Sequence, residues 1–327
     1  MPRTMTTLHK LDSAPAPPFQ LYRPSPTAVN GTGRAARVAC ALVRVLRPRQ
    51  WIKNTACLAG LIFSGALFQQ DAQLAALAVT AMFCAAASSI YILNDLCDRN
   101  SDRQNPRTAD RPIASGALPV GAAVFGCLCC LAIAGALACR LGHACAAVLG
   151  VYLTMNLAYC FWLKHAVLVD VMVIALGFVC RVLAGVYALQ ARPTVWIVLC
   201  VFFLALLLAV AKRRGELAAL DDLAAFHRPV LAQYTLPFLD VLMSVTATMT
   251  IACYALYTVE ARDHNPSLVV TVPPVAYGIA RYLLLVMGRR IEAAEEILTR
   301  DKGLIAAVLS WVSLCVLIIY GEVHLFQ

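Results

Sequence analysis

Charge is what this sequence lacks. Asp, Glu, Lys and Arg together make 14% of its 327 residues, 61% are hydrophobic and the mean hydropathy is +0.74. A water-soluble domain of this size is not built from so little charge, so the chain reads as a polytopic membrane protein. Acidic residues are the scarcer kind, 18 against 27 basic. No apolar core segment lies in the first thirty residues, which argues against a signal peptide. No basic soluble domain is set apart to carry nucleic acid. The six histidines are scattered and show no HExxH or other ligand spacing, so zinc is not indicated. Cysteine, by contrast, is plentiful at 14. Most of these, such as Cys84, Cys145, Cys180 and Cys253, fall within apolar runs and read as small buried hydrophobes rather than disulfides or metal ligands. No repeat period is visible.

Charge-poor runs long enough to cross a bilayer fall near 54–70, 72–93, 117–139, 144–163, 166–190, 193–211, 236–258, 267–287 and 303–321. The expected fold class is therefore an all-α membrane protein, a bundle of about nine transmembrane helices over 37–327. A Pro- and Thr-rich tail, 1–36, precedes it and is expected to be disordered. With the N-terminus inside, 23 Lys and Arg fall on the cytoplasmic side and three (Arg140, Arg192, Arg262) on the other, while Arg181 lies within a span. That split is a strong positive-inside signal. It predicts a plasma (inner) membrane protein whose polar rim faces the cytoplasm and whose net charge of +9 meets lipid headgroups rather than nucleic acid.

The most informative stretch is Asn94-Asp95-Leu-Cys-Asp98-Arg99-Asn-Ser-Asp102, at the cytoplasmic end of the second run. Its aspartates are spaced three and four apart, so a helix would project all three carboxylates from one face. Hard carboxylate oxygens suit Mg²⁺ or Mn²⁺, which bind through one or two protein carboxylates and complete their shell with substrate phosphate oxygens. Basic residues collect on the same rim: Arg47 and Lys53 before the first run, Arg111 after the acidic cluster, Lys164 after the fourth run, the triplet Lys212, Arg213, Arg214 after the sixth and Arg281 in the eighth. A metal-binding cluster facing a basic ring is suited to a diphosphate leaving group. Asp170 and Arg181, eleven residues apart in the fifth run, share a helix face and are site candidates because intramembrane charge is expensive. The consecutive triplet would fan over about 200° of a helix, so only one or two members are expected to meet a ligand.

Asn94-Asp95-x-x-Asp98-x-x-x-Asp102 with Arg111-Pro112-x-x-Ser115-Gly116 resembles the first motif of the UbiA superfamily of intramembrane prenyltransferases. That family carries a second Asp-x-x-x-Asp motif between helices 6 and 7, where this chain has Ala211-Lys212-Arg213-Arg214-Gly215-Glu216. Arg47-Pro48-Arg49-Gln50-Trp51-Ile52-Lys53-Asn54, Leu163-Lys164-His165, Gly177-Phe178-x-x-Arg181-x-x-Ala184-Gly185, Arg228-Pro229-Val230-Leu231 and Tyr277-Gly278-Ile279-x-Arg281-Tyr282 are similar to the decaprenyl-phosphate phosphoribosyltransferase branch, and these segments run along almost the whole chain after the tail. The resemblance implies transfer of a 5-phosphoribosyl group from phosphoribosyl diphosphate to a polyprenyl phosphate. The lipid-linked pentose so formed would serve cell-wall arabinan, such as arabinogalactan. It implies Asp95, Asp98 and Asn94 as catalytic residues, with Asp95, Asp98 and Asp102 on the metal. Lys53, Arg111, Lys164, Asp170, Arg181, Lys212, Arg213 and Arg214 would bind the donor, and Arg47 and Arg281 the lipid phosphate. An aromatic or quinone-pathway prenyltransferase and a transporter of a phosphorylated lipid or ion are the alternatives. The sequence leaves the oligomeric state open, a homo-oligomer included.

Overall fold

The structure, a computed structural model, describes residues 31–106, 108–220, 229–260, 266–288, 297 and 300–321. Expectations for residues 1–30, for Arg228, and for the loop ends at 221–228, 261–265 and 289–296 lie outside these.

Every regular element among the described residues is a helix. A short amphipathic helix α1 (Gly31–Val45) leads into a 3-10 helix, Pro48–Leu58, and α2 (Ala59–Phe63). There follow α3 (Gln70–Cys97), the single-turn α4 (Arg99–Gln104), α5 (Val120–Leu141), α6 (His143–Phe161), α7 (Val169–Ala188), α8 (Val195–Leu220), α9 (Leu236–Glu260), α10 (Val272–Gly288) and α11 (Lys302–Tyr320). Among the described residues eight helical stretches are long and apolar enough to cross a membrane, one of them formed by α10 together with the 3-10 turn before it, Ser267–Gly288, and large apolar side chains face outward along them. Consecutive spans pack as antiparallel neighbours, and α7 is the most enclosed of them. The expected tail boundary at residue 36 falls inside α1.

The first expected span, 54–70, is not a single regular helix. Residues 54–63 belong to the 3-10 segment and α2, which nonetheless run from one face of the bundle to the other, and 64–69 form the turn into α3. Arg47 at one end binds Asp95 on the rim. At the other end the hydroxyl of Tyr320, the last residue of α11, bonds the carbonyls of Leu61 and Ile62. Eleven residues at a 3-10 rise of about 2.0 Å and five at about 1.5 Å give about 30 Å, the thickness of the hydrocarbon layer. Stretched winding thus lets a short segment do the work of a longer α-helix. Hydropathy registers composition and not rise per residue, so the sequence placed this crossing several residues too late.

Two glycines hold the crossing against α7. A Cβ on Gly185 would overlap the Cys57 carbonyl oxygen, and one on Gly60 would come within 3.0 Å of the Gly185 backbone. Small residues let backbones approach this closely in membranes. Gly185→Ala is expected to destabilise the fold by about 1–3 kcal/mol, the usual cost of overpacking. A thermal-unfolding midpoint for this variant equal to that of the unaltered protein would show that the two backbones do not touch as described.

A small apolar core fixes the rim. Ala41 and Val45 of α1, Ile92 of α3, Ile113 and Leu118 of the loop and Ala123 of α5 pack together, most of them fully buried. This cluster binds α1 and the 105–118 loop to the ends of α3 and α5, and so decides where Arg47 and Arg111 project.

Candidate active site

Helix α3 stops at Cys97, and Asp98 leaves helical geometry before α4 begins. The three aspartates therefore do not line one straight face. Asp95 and Asp102 turn toward each other, both nearly buried, and Asp98 turns to the side. Arg111 joins the first two: its Nη1 donates to Asp102 Oδ2 at 2.8 Å and to Asp95 Oδ1 at 3.2 Å. Arg47 Nη2 donates to that same Asp95 oxygen at 2.5 Å and its guanidinium stacks 5.0 Å from the Tyr91 ring. Lys164 Nζ lies 2.8 Å from Asp98 Oδ1.

The loop presents Arg111 through its own hydrogen bonds. Arg103 Nε donates to the Ala114 carbonyl, Thr108 Oγ1 to the Asp102 carbonyl and the Leu118 amide to the Pro112 carbonyl. Gly116, at φ 81°, takes the left-handed turn that closes it. Arg47 also has a positive φ, 54°, uncommon for a side chain of this size and upheld here by its ion pair and by Val45 in the core beside it. Among the described residues one buried side-chain polar atom has no hydrogen-bond partner, Arg99 Nε, directly after Asp98.

A second charged group lies on α7 and α8. Arg213 donates from Nε to Asp170 Oδ2 and from Nη1 to Glu216 Oε2, each at 2.8 Å. Tyr234 completes the shell by donating to Asp170 Oδ1 at 2.9 Å. Burial pushes the Tyr234 hydroxyl up to about 12, so it stays a donor at every ordinary pH. Arg214 reaches Asp240 and the Val286 carbonyl, tying α8 to α9 and α10.

Arg181 is deeper, about 16 Å along α7 from Asp170. It donates to Asn54 Oδ1, Tyr152 Oη and the Gly177 carbonyl, with Phe83, Tyr152 and Phe178 rings 5.0–5.5 Å away. Arg281 pairs with Asp301, whose carboxyl this hydrogen bond holds below the usual range.

Exposure separates these cations. The side chains of Arg47 and Arg111 are 30% exposed and Lys164 21%, against 2% for Arg213. The first three keep part of their side chains accessible; Arg213 is sealed with its carboxylates, and Arg181 with its neutral acceptors and rings. Of the triplet, Arg213 and Arg214 pair with carboxylates; Lys212, next to them in α8, and Lys53, within the 3-10 helix, are both half-buried. Asn94 is half-buried one residue before Asp95, and its carbonyl ends α3 by accepting from the Asp98 amide. Spacing gave no sign that Asp170 and Arg213 are partners, nor of Asn54 and Tyr152 on Arg181, Tyr91 under Arg47, or the orphaned Arg99.

No ready-made cage of three His, Cys, Asp or Glu residues occurs among the described residues. The donor set nevertheless suits Mg²⁺ or Mn²⁺. One cationic nitrogen already lies between oxygens of Asp95 and Asp102, and Mg²⁺ uses one or two carboxylates and takes its other ligands from phosphate and water.

The UbiA prenyltransferase family model matches residues 55–308. A decaprenyl-phosphate phosphoribosyltransferase of Corynebacterium glutamicum is 32% identical over 314 residues, covering 92% of this chain and 94% of that protein. Its counterpart in Mycolicibacterium smegmatis is 34% identical, covering 86% and 92%. Among solved structures, a UbiA homologue from Archaeoglobus fulgidus bound to GPP and Mg²⁺ superposes with a TM-score of 0.67 at 19% identity, over 85% of this chain and 99% of that one.

Proposed function

This chain belongs to the UbiA prenyltransferase family, and from that premise we propose that it transfers 5-phosphoribosyl from phosphoribosyl diphosphate to a decaprenyl-type polyprenyl phosphate, releasing diphosphate. The similarity to decaprenyl-phosphate phosphoribosyltransferases over nearly their whole length supports the substrates. The observation that carries the chemistry is the gathering of Asp95, Asp98 and Asp102 with Arg47, Arg111 and Lys164 on one rim.

In this reaction an oxygen of the lipid phosphate forms a bond to the anomeric carbon while the bond from that carbon to the diphosphate oxygen breaks, and the bonding pair leaves with diphosphate. Attack from the opposite face inverts the configuration. A phosphate monoester has its second pKa near 6, so the acceptor is already a nucleophilic anion at neutral pH. No residue has to remove a proton, consistent with a rim that has no histidine among its paired groups. Positive charge developing on the ribose ring and negative charge on the leaving group are what the site must stabilise. In this reading Arg111 and Lys164 take the diphosphate, Arg47 the lipid phosphate, and Lys212 with Lys53 the 5-phosphate at the donor's far end. Asp95 and Asp102, with Asp98, would hold Mg²⁺ or Mn²⁺, whose charge when bound offsets that of the departing diphosphate. Asp170, Arg181, Arg213, Arg214 and Arg281 are assigned to holding the helices that carry these groups.

We place the rim on the cytoplasmic side of the plasma (inner) membrane, as the distribution of Lys and Arg favours. The product would be a lipid-linked pentose for cell-envelope arabinan. Purified protein in detergent, given phosphoribosyl diphosphate labelled in the ribose and decaprenyl phosphate, is expected to yield a labelled lipid. Label that stays in water, together with lipid formation from a prenyl diphosphate and an aromatic acceptor, would favour the prenyltransferase reading instead.

A further inference from the structure

Three carboxylates and three cations meet at the rim, and every one of the carboxylates is paired: Asp95 with Arg47 and Arg111, Asp102 with Arg111, Asp98 with Lys164. The cluster is therefore close to neutral as a whole. A divalent ion approaching it meets little net negative charge. The position between Asp95 and Asp102, moreover, is held by Arg111 Nη1, within 3.2 Å of one and 2.8 Å of the other. A metal bridging these two oxygens and a guanidinium N–H bridging them cannot coexist, because both need the same lone pairs and their charges repel.

The loop lets Arg111 leave. Its side chain is 30% exposed, and the hydrogen bonds that shape the turn use the Arg111 carbonyl and amide rather than its guanidinium. A guanidinium released from two carboxylates keeps five donors in a planar fork, the shape that binds phosphate through two bonds at once. It would also leave the rim carrying a net positive charge once a divalent ion is in place, which a polyanionic diphosphate cancels.

We propose that Arg111 is a displaceable internal counterion of the metal site: it bridges Asp95 and Asp102 until ion and diphosphate enter together, then passes from the carboxylates to the diphosphate. Arg111 thereby couples the two ligands, so that neither binds well alone. This rests on the reading of the site as one for a divalent ion and a diphosphate, but the test requires no ribosyl donor, lipid acceptor or turnover.

The probes are Mn²⁺ alone and Mn²⁺ with inorganic diphosphate, at matched free Mn²⁺, with protein-bound manganese read by electron paramagnetic resonance. In the unaltered protein diphosphate is expected to tighten Mn²⁺ at least about tenfold, within the usual range of coupling between linked ligands. Arg111→Gln is expected to tighten Mn²⁺ alone by about fivefold or more and to reduce the coupling to about twofold. Arg44→Gln, on the exposed side of α1 near the same rim, controls for loss of charge in general and should change neither. If Arg111→Gln does not fold, Arg111→Lys keeps the charge but cannot span both carboxylates, and should shift both quantities in the same directions by less. Manganese binding that is unchanged or weaker in the Arg111 variants, or equally tightened in Arg44→Gln, would overturn the proposal. A labelled lipid formed normally alongside that result would leave the function standing without it.

Discussion

Asp95→Asn is expected to lower turnover by at least about 100-fold, a loss of roughly 2.7 kcal/mol of transition-state stabilisation. Asp95 is 2% exposed and accepts from two arginines, so its carboxylate is the electrostatic centre of the rim. The Asn side chain has nearly the same shape, and the helix around it would be undisturbed; what disappears is one negative charge and one hard oxygen. The loss should therefore fall on kcat while the melting temperature stays close to that of the unaltered protein. Asp98→Asn is expected to act in the same direction. Its partner Lys164 and Asp98 itself are both partly exposed, and such a pair contributes at most about 1 kcal/mol to stability, so stability should hardly register the change. An Asp95→Asn enzyme with full turnover would remove the carboxylate from the chemistry.

The second large effect is on stability and falls on a residue that sequence reasoning assigned to the donor. Arg213→Gln leaves Asp170, 1% exposed, without its charged partner. Breaking a buried pair in this way costs about 3–5 kcal/mol, because the orphaned carboxylate keeps its full desolvation penalty. Tyr234 still donates to Asp170, which favours the lower end of that range. Arg213→Gln with Asp170→Asn should recover most of the loss, since the double variant buries neutral amides in place of a lone charge. The two should be compared by thermal unfolding in the same detergent. If Arg213→Gln unfolds at the normal temperature but raises the donor KM, Arg213 belongs to the binding site after all.

The contrast between Asp95 and Arg213 shows how far the sequence could be read. Membrane class, the apolar runs from 72 onward and the acidic cluster depend on composition and short spacing, and both survive in a linear string. The first crossing does not, because Pro48–Leu58 winds as a 3-10 helix and its span depends on rise per residue and on backbone contact between Cys57 and Gly185. Basic residues were all legible as basic, yet their duties were not. Arg111 and Arg213 look alike in sequence; one is partly exposed between two rim carboxylates and the other is sealed against α7, 43 residues away from its acid. Asp170 and Arg181 share a face of α7 as their spacing implies, but they answer to different partners, Arg213 in one case and Asn54 with Tyr152 in the other. Pairing at that sequence distance is a property of packing, and no local pattern encodes it.

In the proposed reaction the bond broken is the one between the anomeric carbon and diphosphate. That cleavage is tested most directly with phosphoribosyl diphosphate carrying one phosphorus isotope in the 5-phosphate and another in the diphosphate, incubated with the purified protein, Mg²⁺ and decaprenyl phosphate and then partitioned between organic solvent and water. The account predicts that the 5-phosphate label enters the lipid phase in equal amount with diphosphate label appearing in water as free inorganic diphosphate. Diphosphate label in the lipid, or lipid product with no 5-phosphate label, would contradict it.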